Sequence, residues 1–341
     1  MTVRLSAKQR SDNPAMRILV TGSTGHLGEA LVRELGSAGH ALTGMDVVAG
    51  PTTAVVCSVA DRAAVRTALA GVDAVIHSAT LHKPHVSSHS RADFIDTNVT
   101  GTLTLLEEAA AAGVSRFIYL STTSVFGMAL RPGSGDPAAW VTENLVPVPR
   151  NIYGVTKFAA EDLCELIHRD HGMPVLVLRT SRFFAEEDDE PVRRLAFDPL
   201  NLKVNELLYR RVDLADLVEA CSRAVDRAPE LGFGRYILSA TTPFTEAEMS
   251  AVRTRLPELV ERHFPSYPEV YAGLGWRLPD GIGRVYVNTA ARRALGWEPR
   301  FTFGYALEGL ANGLDPRSEL ALAIGAKSYH AEPHGVDTRA R

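Results

Sequence analysis

Cysteine is scarce in this chain, with three residues at positions 57, 164 and 221. They lie far apart and are odd in number, which argues against a disulfide framework and fits a reducing, cytoplasmic setting. None forms a C-x-x-C pair, so no structural zinc site is expected. Long apolar runs are missing too. No stretch approaches the ~20 residues of a membrane-spanning helix, and the polar opening MTVRLSAKQRSDNPAM lacks the apolar centre of a secretory signal. Charge of one sign is not in excess. The formal net charge is -4 over 341 residues, so neither nucleic acid nor a membrane surface is expected as partner. Internal repeats and low-complexity blocks are absent. What is present, 45% hydrophobic and 22% charged residues, is ordinary for a globular chain with a full core.

From Arg17 to about residue 180, strand-like and helix-like stretches alternate. RILVT, HALTGMD, DAVIHSAT, RFIYLST and PVLVLRT read as strands. ADRAAVRTALAGV, RADFIDTNVTGTLTLLEEAAAAG and NIYGVTKFAAEDLCELIHRDH read as helices. This rhythm predicts an α/β fold, a Rossmann-type doubly wound parallel sheet with helices on both faces. After Arg182 the rhythm breaks into a charged, irregular stretch. VDLADLVEACSRAVDRA and TEAEMSAVRTRLPELVERHF then read as helices, GRYILSA as a strand, and VNTAARRALGWEPRF as a short helix ending at Gly296. The expected organisation is a disordered leader over 1–15, a dinucleotide-binding domain over 16–181, a smaller substrate-binding region of interleaved segments over 182–320, and a polar tail over 321–341.

Gly22, Gly25 and Gly28 space a G-x-x-G-x-x-G loop between the first strand and its helix. The first glycine permits the tight turn, the second a close approach of a pyrophosphate, and the third helix-on-strand packing. The free N–H groups of the helix start, across Thr24, Gly25, His26 and Leu27, suit phosphate oxygens. Asp46 ends the next strand, 21 residues beyond Gly25. A carboxylate there accepts both adenosine ribose hydroxyls and repels a 2′-phosphate, which favours NAD over NADP.

Tyr153 and Lys157 stand at i, i+4 on a predicted helix and share a face. A tyrosine of ordinary pKa, about 10, is a poor base at neutral pH, and a nearby ammonium is expected to lower it. Upstream, LSTTSVFG brings Ser121, Thr122, Thr123 and Ser124 to a strand end, hydroxyls suited to holding a substrate oxygen near Tyr153. His82, His85 and His89 cluster in LHKPHVSSHS, but Pro84 breaks regular spacing. A substrate-facing loop is expected there rather than a metal site.

Taken in order, TGSTGHLG, Asp46, VIHSAT, TNVTGTLTLLEEA, YLSTTSVFG, VTEN, YGVTK, VDLADLVEA and NTAARRALGWEPRFTF resemble the NAD-dependent epimerase/dehydratase family of extended short-chain dehydrogenases/reductases, typified by nucleotide-sugar epimerases. The resemblance runs over roughly residues 17–310 and implies NAD as cofactor, with no metal. It implies Tyr153 as general base, Lys157 as its partner and as a contact of the nicotinamide ribose, and Thr122 as the hydroxyl sharing the substrate proton. Ser78, Ala79 and Thr80 would pass the nicotinamide half by backbone, Thr180 would join the cofactor contacts, and Asn98 would position the lysine through backbone and water. His82, Thr123, Ser124, Arg182 and Arg193 are the expected substrate contacts. Family members commonly dimerise through the two long helices, here near 94–112 and 153–170, so a homodimer is expected.

The chain departs from the family in three places. Ser58 replaces an aspartate at the adenine, with Val59 keeping the backbone contact. Thr123 and Ser124 replace the Asp-Glu pair of the dehydratases, and neither can do carboxylate chemistry. Arg182 replaces an asparagine, either as a clamp for phosphate or carboxylate or as a partner of the acidic run Glu186 to Asp189. The leading expectation is an epimerase of a nucleotide sugar or related sugar. The alternatives are a dehydrogenase/reductase of a sugar or another secondary alcohol, and a non-catalytic dinucleotide sensor.

Overall fold

Strands β1 (Arg17–Thr21), β2 (Ala41–Asp46), β3 (Val55–Val56), β4 (Ala74–His77), β5 (Arg116–Thr122), β7 (Val175–Thr180) and β8 (Phe233–Leu238) form one sheet. Its order is β3-β2-β1-β4-β5-β7-β8, and every pairing is parallel. The remaining strands, β6 (Ala139–Val141) and β9 (Arg284–Tyr286), make a separate parallel pair. The computed structural model describes residues 15–188 and 191–327. The expected leader, apart from its last residue, and the tail beyond 327 lie outside the described residues.

Alternation within the strands decides which helix layer each residue meets. Ile18 and Val20 of β1, Ile118 of β5 and Leu176 and Leu178 of β7 face the layer of helices His26–Ser37, Leu214–Leu231 and Thr289–Leu295. Leu19, Phe117, Tyr119, Val175 and Val177 face the opposite layer, which contains Gly101–Ala111 and Ile152–His171. Because both faces are covered, the strands read as near-continuous apolar runs. A second core lies outside the sheet. It gathers Leu208, Val252, Leu259, Tyr271 and Phe303 around the β6–β9 pair.

Several elements differ from their expected form. Val55–Val56 adds a short edge strand that two residues were too few to signal. The single helix expected over 91–113 is interrupted. Arg91–Ile95 runs into a π-turn at Asp96–Thr100 before the helix resumes at Gly101. Such turns trade ladder regularity for side-chain placement, and this one carries Asn98. The helix expected over 245–264 breaks at Arg255, because Pro257 lacks an N–H and fits only the first turn of a new helix. The irregular stretch after Arg182 contains helices Pro191–Ala196 and Pro199–Glu206, the second capped by Asp198, whose carboxylate accepts from Leu200 and Asn201. Helix Glu319–Ile324 crosses the expected start of the tail at 321. Its Leu320, Ala321 and Ile324 pack into the core. GRYILSA becomes β8, so the main sheet takes its last strand from beyond Arg182.

The chain builds outward through β1, β2 and β3, then returns to β4 on the other side of β1. That reversal opens a groove at the C-terminal ends of β1 and β4, the place where open α/β sheets bind ligands. Beneath it His77 is fully buried. Its Nδ1 lies 2.7 Å from the Thr21 hydroxyl and its Nε2 2.9 Å from the Thr102 hydroxyl. Burial, with the nearby Lys157 charge, pushes its pKa down from 6.5 to about 3. A neutral buried histidine makes the unfolded chain the better proton acceptor below 6.5, so stability is full above that value and declines as pH falls. Urea midpoints measured between pH 6.5 and 5 are expected to show the native chain losing stability relative to His77→Gln, at up to about 1.4 kcal/mol per pH unit. Parallel curves for the two proteins would contradict this.

Candidate active site

Two glycines shape the groove for steric reasons. Gly22 has φ +71°, and a Cβ there would lie 2.7 Å from the Ala79 backbone nitrogen, so the first turn and the loop after β4 meet closely. At Gly28 a Cβ would fall 1.9 Å from the Gly22 carbonyl oxygen. Gly25 caps helix His26–Ser37 and has no side chain with which to accept from the first-turn N–H groups. Asp46 fixes the loop from the β2 end. Its Oδ2 accepts from the Thr24 backbone at 3.0 Å and hydroxyl at 2.8 Å, and its Oδ1 accepts from Val48 N at 3.0 Å. Ser58 is exposed and its hydroxyl accepts from Ala60 N, whereas Val59 is buried against Gly101.

The loop after β4 is tied to β1 and to the π-turn. The Ser78 hydroxyl donates to the Thr21 carbonyl at 2.7 Å, and Ala79 N donates to the Thr21 hydroxyl at 3.2 Å. Asn98 Oδ1 accepts from the Thr80 hydroxyl and Leu81 N, while its Nδ2 donates to the Leu81 carbonyl and the Thr156 hydroxyl. Asn98 thus joins this loop to helix Ile152–His171 one residue before Lys157. Thr180 donates to the Ser121 carbonyl at 3.0 Å and serves as a tie between β5 and β7.

Tyr153 and Lys157 lie one turn apart on the buried face of helix Ile152–His171, directly over the end of β5. Gly154 permits this fit, since a Cβ there would come within 2.9 Å of the Ser124 carbonyl oxygen. Burial pushes the Tyr153 phenol up to about 12, offset in part by its hydrogen bond with the Thr122 hydroxyl. Thr122 also accepts from Ser124 N at 3.1 Å, and Thr123 is buried in the short turn that follows. Lys157 is 1% exposed. Its Nζ donates to the Leu120 carbonyl at 2.6 Å and lies 4.1 Å from the centre of the Tyr119 ring. Burial pulls the ammonium down to about 7. The expected lowering of Tyr153 by Lys157 is therefore corrected. The ammonium is directed at the strand, and desolvation dominates the phenol.

A third contact on that helix face was not among the expected site residues. Glu161, fully buried, accepts from the Ser121 hydroxyl at 2.5 Å and from Arg179 of β7, with Nη2 at 2.7 Å and Nε at 3.1 Å. Its spacing of four from Lys157 was the available signal.

Arg182 lies against the acidic run. Its Nη1 is 2.7 Å from Asp188 Oδ2 and 3.8 Å from Glu206 Oε1. Arg193 reaches the same Asp188 oxygen at 3.9 Å, Arg210 pairs with both acids, and Arg211 pairs with Glu206 at 2.8 Å. Burial raises the Glu206 carboxyl, but Arg210 and Arg211 outweigh it and hold the group at about 2. Of the two expectations for Arg182, the structure brings about the pairing with the acidic run. Glu206 was unforeseen, although its spacing of four and five from Arg210 and Arg211 was readable.

The histidine cluster packs ring on ring. His82 and His85 centroids are 4.5 Å apart, and His85 and His89 are 5.0 Å apart. Among the described residues no three His, Cys, Asp or Glu side chains converge to hold a metal ion. His82 also stacks on Phe184 at 5.5 Å and 17°, while His26 meets the same ring edge-on at 5.5 Å.

A doubly wound parallel sheet with a glycine loop at its switch point is the architecture of the dinucleotide-dependent α/β enzymes. The chain belongs to the NAD dependent epimerase/dehydratase family, whose model matches residues 18–228. It is 26% identical to a 3-beta-hydroxysteroid dehydrogenase of Mycolicibacterium neoaurum, over 85% of this chain and 89% of the relative. It is 29% identical to UDP-glucose 4-epimerase 2 of Oryza sativa subsp. japonica, over 56% of this chain and 50% of that protein. A solved short-chain dehydrogenase/reductase superfamily protein of Agrobacterium tumefaciens with bound NAD superposes with a TM-score of 0.63. That match has 25% identity and covers 87% of this chain and 96% of the other. The chain is an enzyme of this family, and NAD is its cofactor.

The Gly28 contact gives the first test of the groove. Gly28→Ala places a methyl group inside the Gly22 carbonyl and displaces the loop, at a cost of about 1–3 kcal/mol. NAD affinity measured by calorimetry is expected to fall about tenfold or more; undiminished binding would contradict the role given to this contact.

Proposed function

We propose that the protein epimerises a secondary-alcohol carbon of a nucleotide sugar or related sugar, using NAD that stays bound. The observation that carries this reading is the convergence of Tyr153, Thr122 and Lys157 at the end of β5, beside the groove. The groove fits NAD. Gly22 and Gly28 leave room that a Cβ would fill, the N-cap of the following helix has no side chain, and the Asp46 carboxylate at the end of β2 would accept from the adenosine ribose. His26, Leu27, Ser78 and Ala79 would line the diphosphate and nicotinamide parts, and Lys157 would reach the second ribose. When bound, NAD would supply the hydride chemistry at the substrate carbon.

The chain's own part is proton transfer and orientation. The Tyr153 and Thr122 hydroxyls hold the substrate oxygen between them. Tyr153 takes the hydroxyl proton as the carbonyl forms and gives it back as the alcohol is restored. A positive charge on Lys157 favours the phenolate this requires, so the lysine must release the Leu120 carbonyl or act across the intervening space. His82, Thr123 and Ser124 would meet the remainder of the substrate. Thr123 and Ser124 carry no carboxylate, which speaks against dehydration.

A second reading, net dehydrogenation of a secondary alcohol, is supported by the arginine cluster. Arg182, Arg193, Arg210 and Arg211 are engaged with Asp188 and Glu206, a poor arrangement for gripping a diphosphate. The dehydrogenase relative aligned over most of both chains points the same way.

The two readings separate in one experiment. Purified protein is denatured to identify released dinucleotide and, intact, is incubated with a panel of nucleotide sugars. Epimerisation requires retained NAD and isomerised sugar without accumulating NADH. NADH accumulating in proportion to substrate consumed would establish the second reading instead. Under either, Tyr153→Phe is expected to lower turnover by about 10²–10⁴-fold while NAD binding persists.

We further propose a cytoplasmic homodimer. Among the described residues no helix is long and apolar enough to cross a membrane. Ile95, Val155 and Leu166 are 47%, 49% and 36% exposed on the two helix segments where family members commonly pair. Val155→Glu is expected to shift the protein to monomer in sedimentation velocity; a sedimentation coefficient unchanged from a monomeric parent would end this proposal.

A further inference from the structure

Two segments remote in sequence meet over the glycine loop. The first follows β7. Phe184 lies between the rings of His26, from the glycine loop, and His82, from the loop after β4. It therefore crosses from one wall of the groove to the other. Two residues later the Glu186 carboxylate sits 2.8 Å from His26 Nε2, at the first residue of helix His26–Ser37. Both side chains are largely shielded from water, with exposures of 3% and 23%.

The second segment is C-terminal. Lys327 N donates to Glu186 Oε1 at 2.6 Å. Its Nζ donates to the Thr24 carbonyl at 2.6 Å and also contacts the Glu29 carboxylate. A single acidic side chain thus joins the loop after β7, the glycine loop and the C-terminal segment. Both segments are anchored at their bases. Arg211 donates to the Phe184 carbonyl at 3.1 Å, and Lys203 donates to the Ala185 carbonyl. On the other side, Ser318 N donates to Asp213 at 3.1 Å, and Ile324 is buried in the core three residues before Lys327. Lys327 is therefore delivered by a packed helix.

We propose that Glu186 and Lys327 are cofactor-retaining residues. They hold Phe183–Asp188 and Gly325–Lys327 closed across the groove that takes NAD, and they must part for NAD to enter or leave. Neither residue touches the reacting carbon. Their effect is on dissociation, the step that separates an enzyme returning its hydride internally from one exchanging cofactor each turnover. This inference rests on the NAD groove and deepens the epimerase reading.

The test needs no knowledge of the substrate. Full-length protein loaded with NAD is mixed with an excess of a second dehydrogenase that consumes free NAD, and release is followed for the native chain, Glu186→Gln and Lys327→Met. Each substitution is expected to speed release at least tenfold. The double variant is expected to release faster than either single, because Glu186→Gln weakens the contacts to His26 and the Lys327 backbone N–H, whereas Lys327→Met removes the separate side-chain contacts to Thr24 and Glu29. Arg262→Met, an exposed charge removal away from the groove, controls for net charge and should release at the native rate. Circular dichroism identifies a variant that fails to fold, and the other single variant then carries the test. Native release rates in both single variants would overturn the clasp while leaving NAD binding intact. Slower release would also overturn it, by showing that the contacts oppose the cofactor. A native chain that binds no NAD would overturn the cofactor assignment and the clasp together.

Discussion

The fully buried ion pair between Glu161 and Arg179 is the constraint on which the catalytic geometry depends. Glu161 sits on helix Ile152–His171 and Arg179 on β7, with Ser121 of β5 bonded to the same carboxylate. Removing one member of such a pair leaves an uncompensated charge in the core, at a cost of about 3–5 kcal/mol. Its position matters more than its strength. The helix grips the end of β5 at three successive turns. Tyr153 meets Thr122, Lys157 meets the Leu120 carbonyl, and Glu161 meets Ser121. A slip of one residue in either element would break all three. The register that places a phenol beside a hydroxyl is therefore set by a charge pair two turns further along the helix.

Much of this arrangement was legible in the sequence. The parallel sheet followed from the strand and helix rhythm, the groove from the spacing of Gly22, Gly25 and Gly28, and the placement of Tyr153 and Lys157 from an i, i+4 relation beside LSTTSVFG. These are local patterns, and local patterns survive in a string of letters. What was not legible depended on distance in sequence. Glu186 meets Lys327 across 141 positions, and Lys327 meets Thr24 across 303. The direction of the Lys157 ammonium was hidden for the same reason. The Leu120 carbonyl that accepts from it lies 37 positions away on a strand, and only the packed fold brings the two together.

The arginine cluster shows why residue type alone misleads about a binding site. Read along the chain, Arg182, Arg193, Arg210 and Arg211 look like a surface made for anions. In the fold, Asp188 and Glu206 lie among them, and the cluster becomes a cross-brace that locks the segment after β7 to helix Pro199–Glu206. Much of its positive charge is then neutralised within the protein.

The placement of β8 bears on how the chain can be divided. It pairs along the whole of β7, from Val175 with Phe233 to Thr180 with Leu238, yet it follows the irregular stretch that begins after Arg182. A fragment ending near residue 181 would hold every glycine-loop and Tyr-Lys residue but would leave β7 as an open edge. That strand is fully buried along its length, with apolar residues on both faces, and it has no proline or bulge to discourage pairing. Such an edge is a template for association with other chains. The apparently self-contained first half is therefore an aggregation-prone fragment, and gene fusions or domain swaps in this family member need to carry the chain through Leu238.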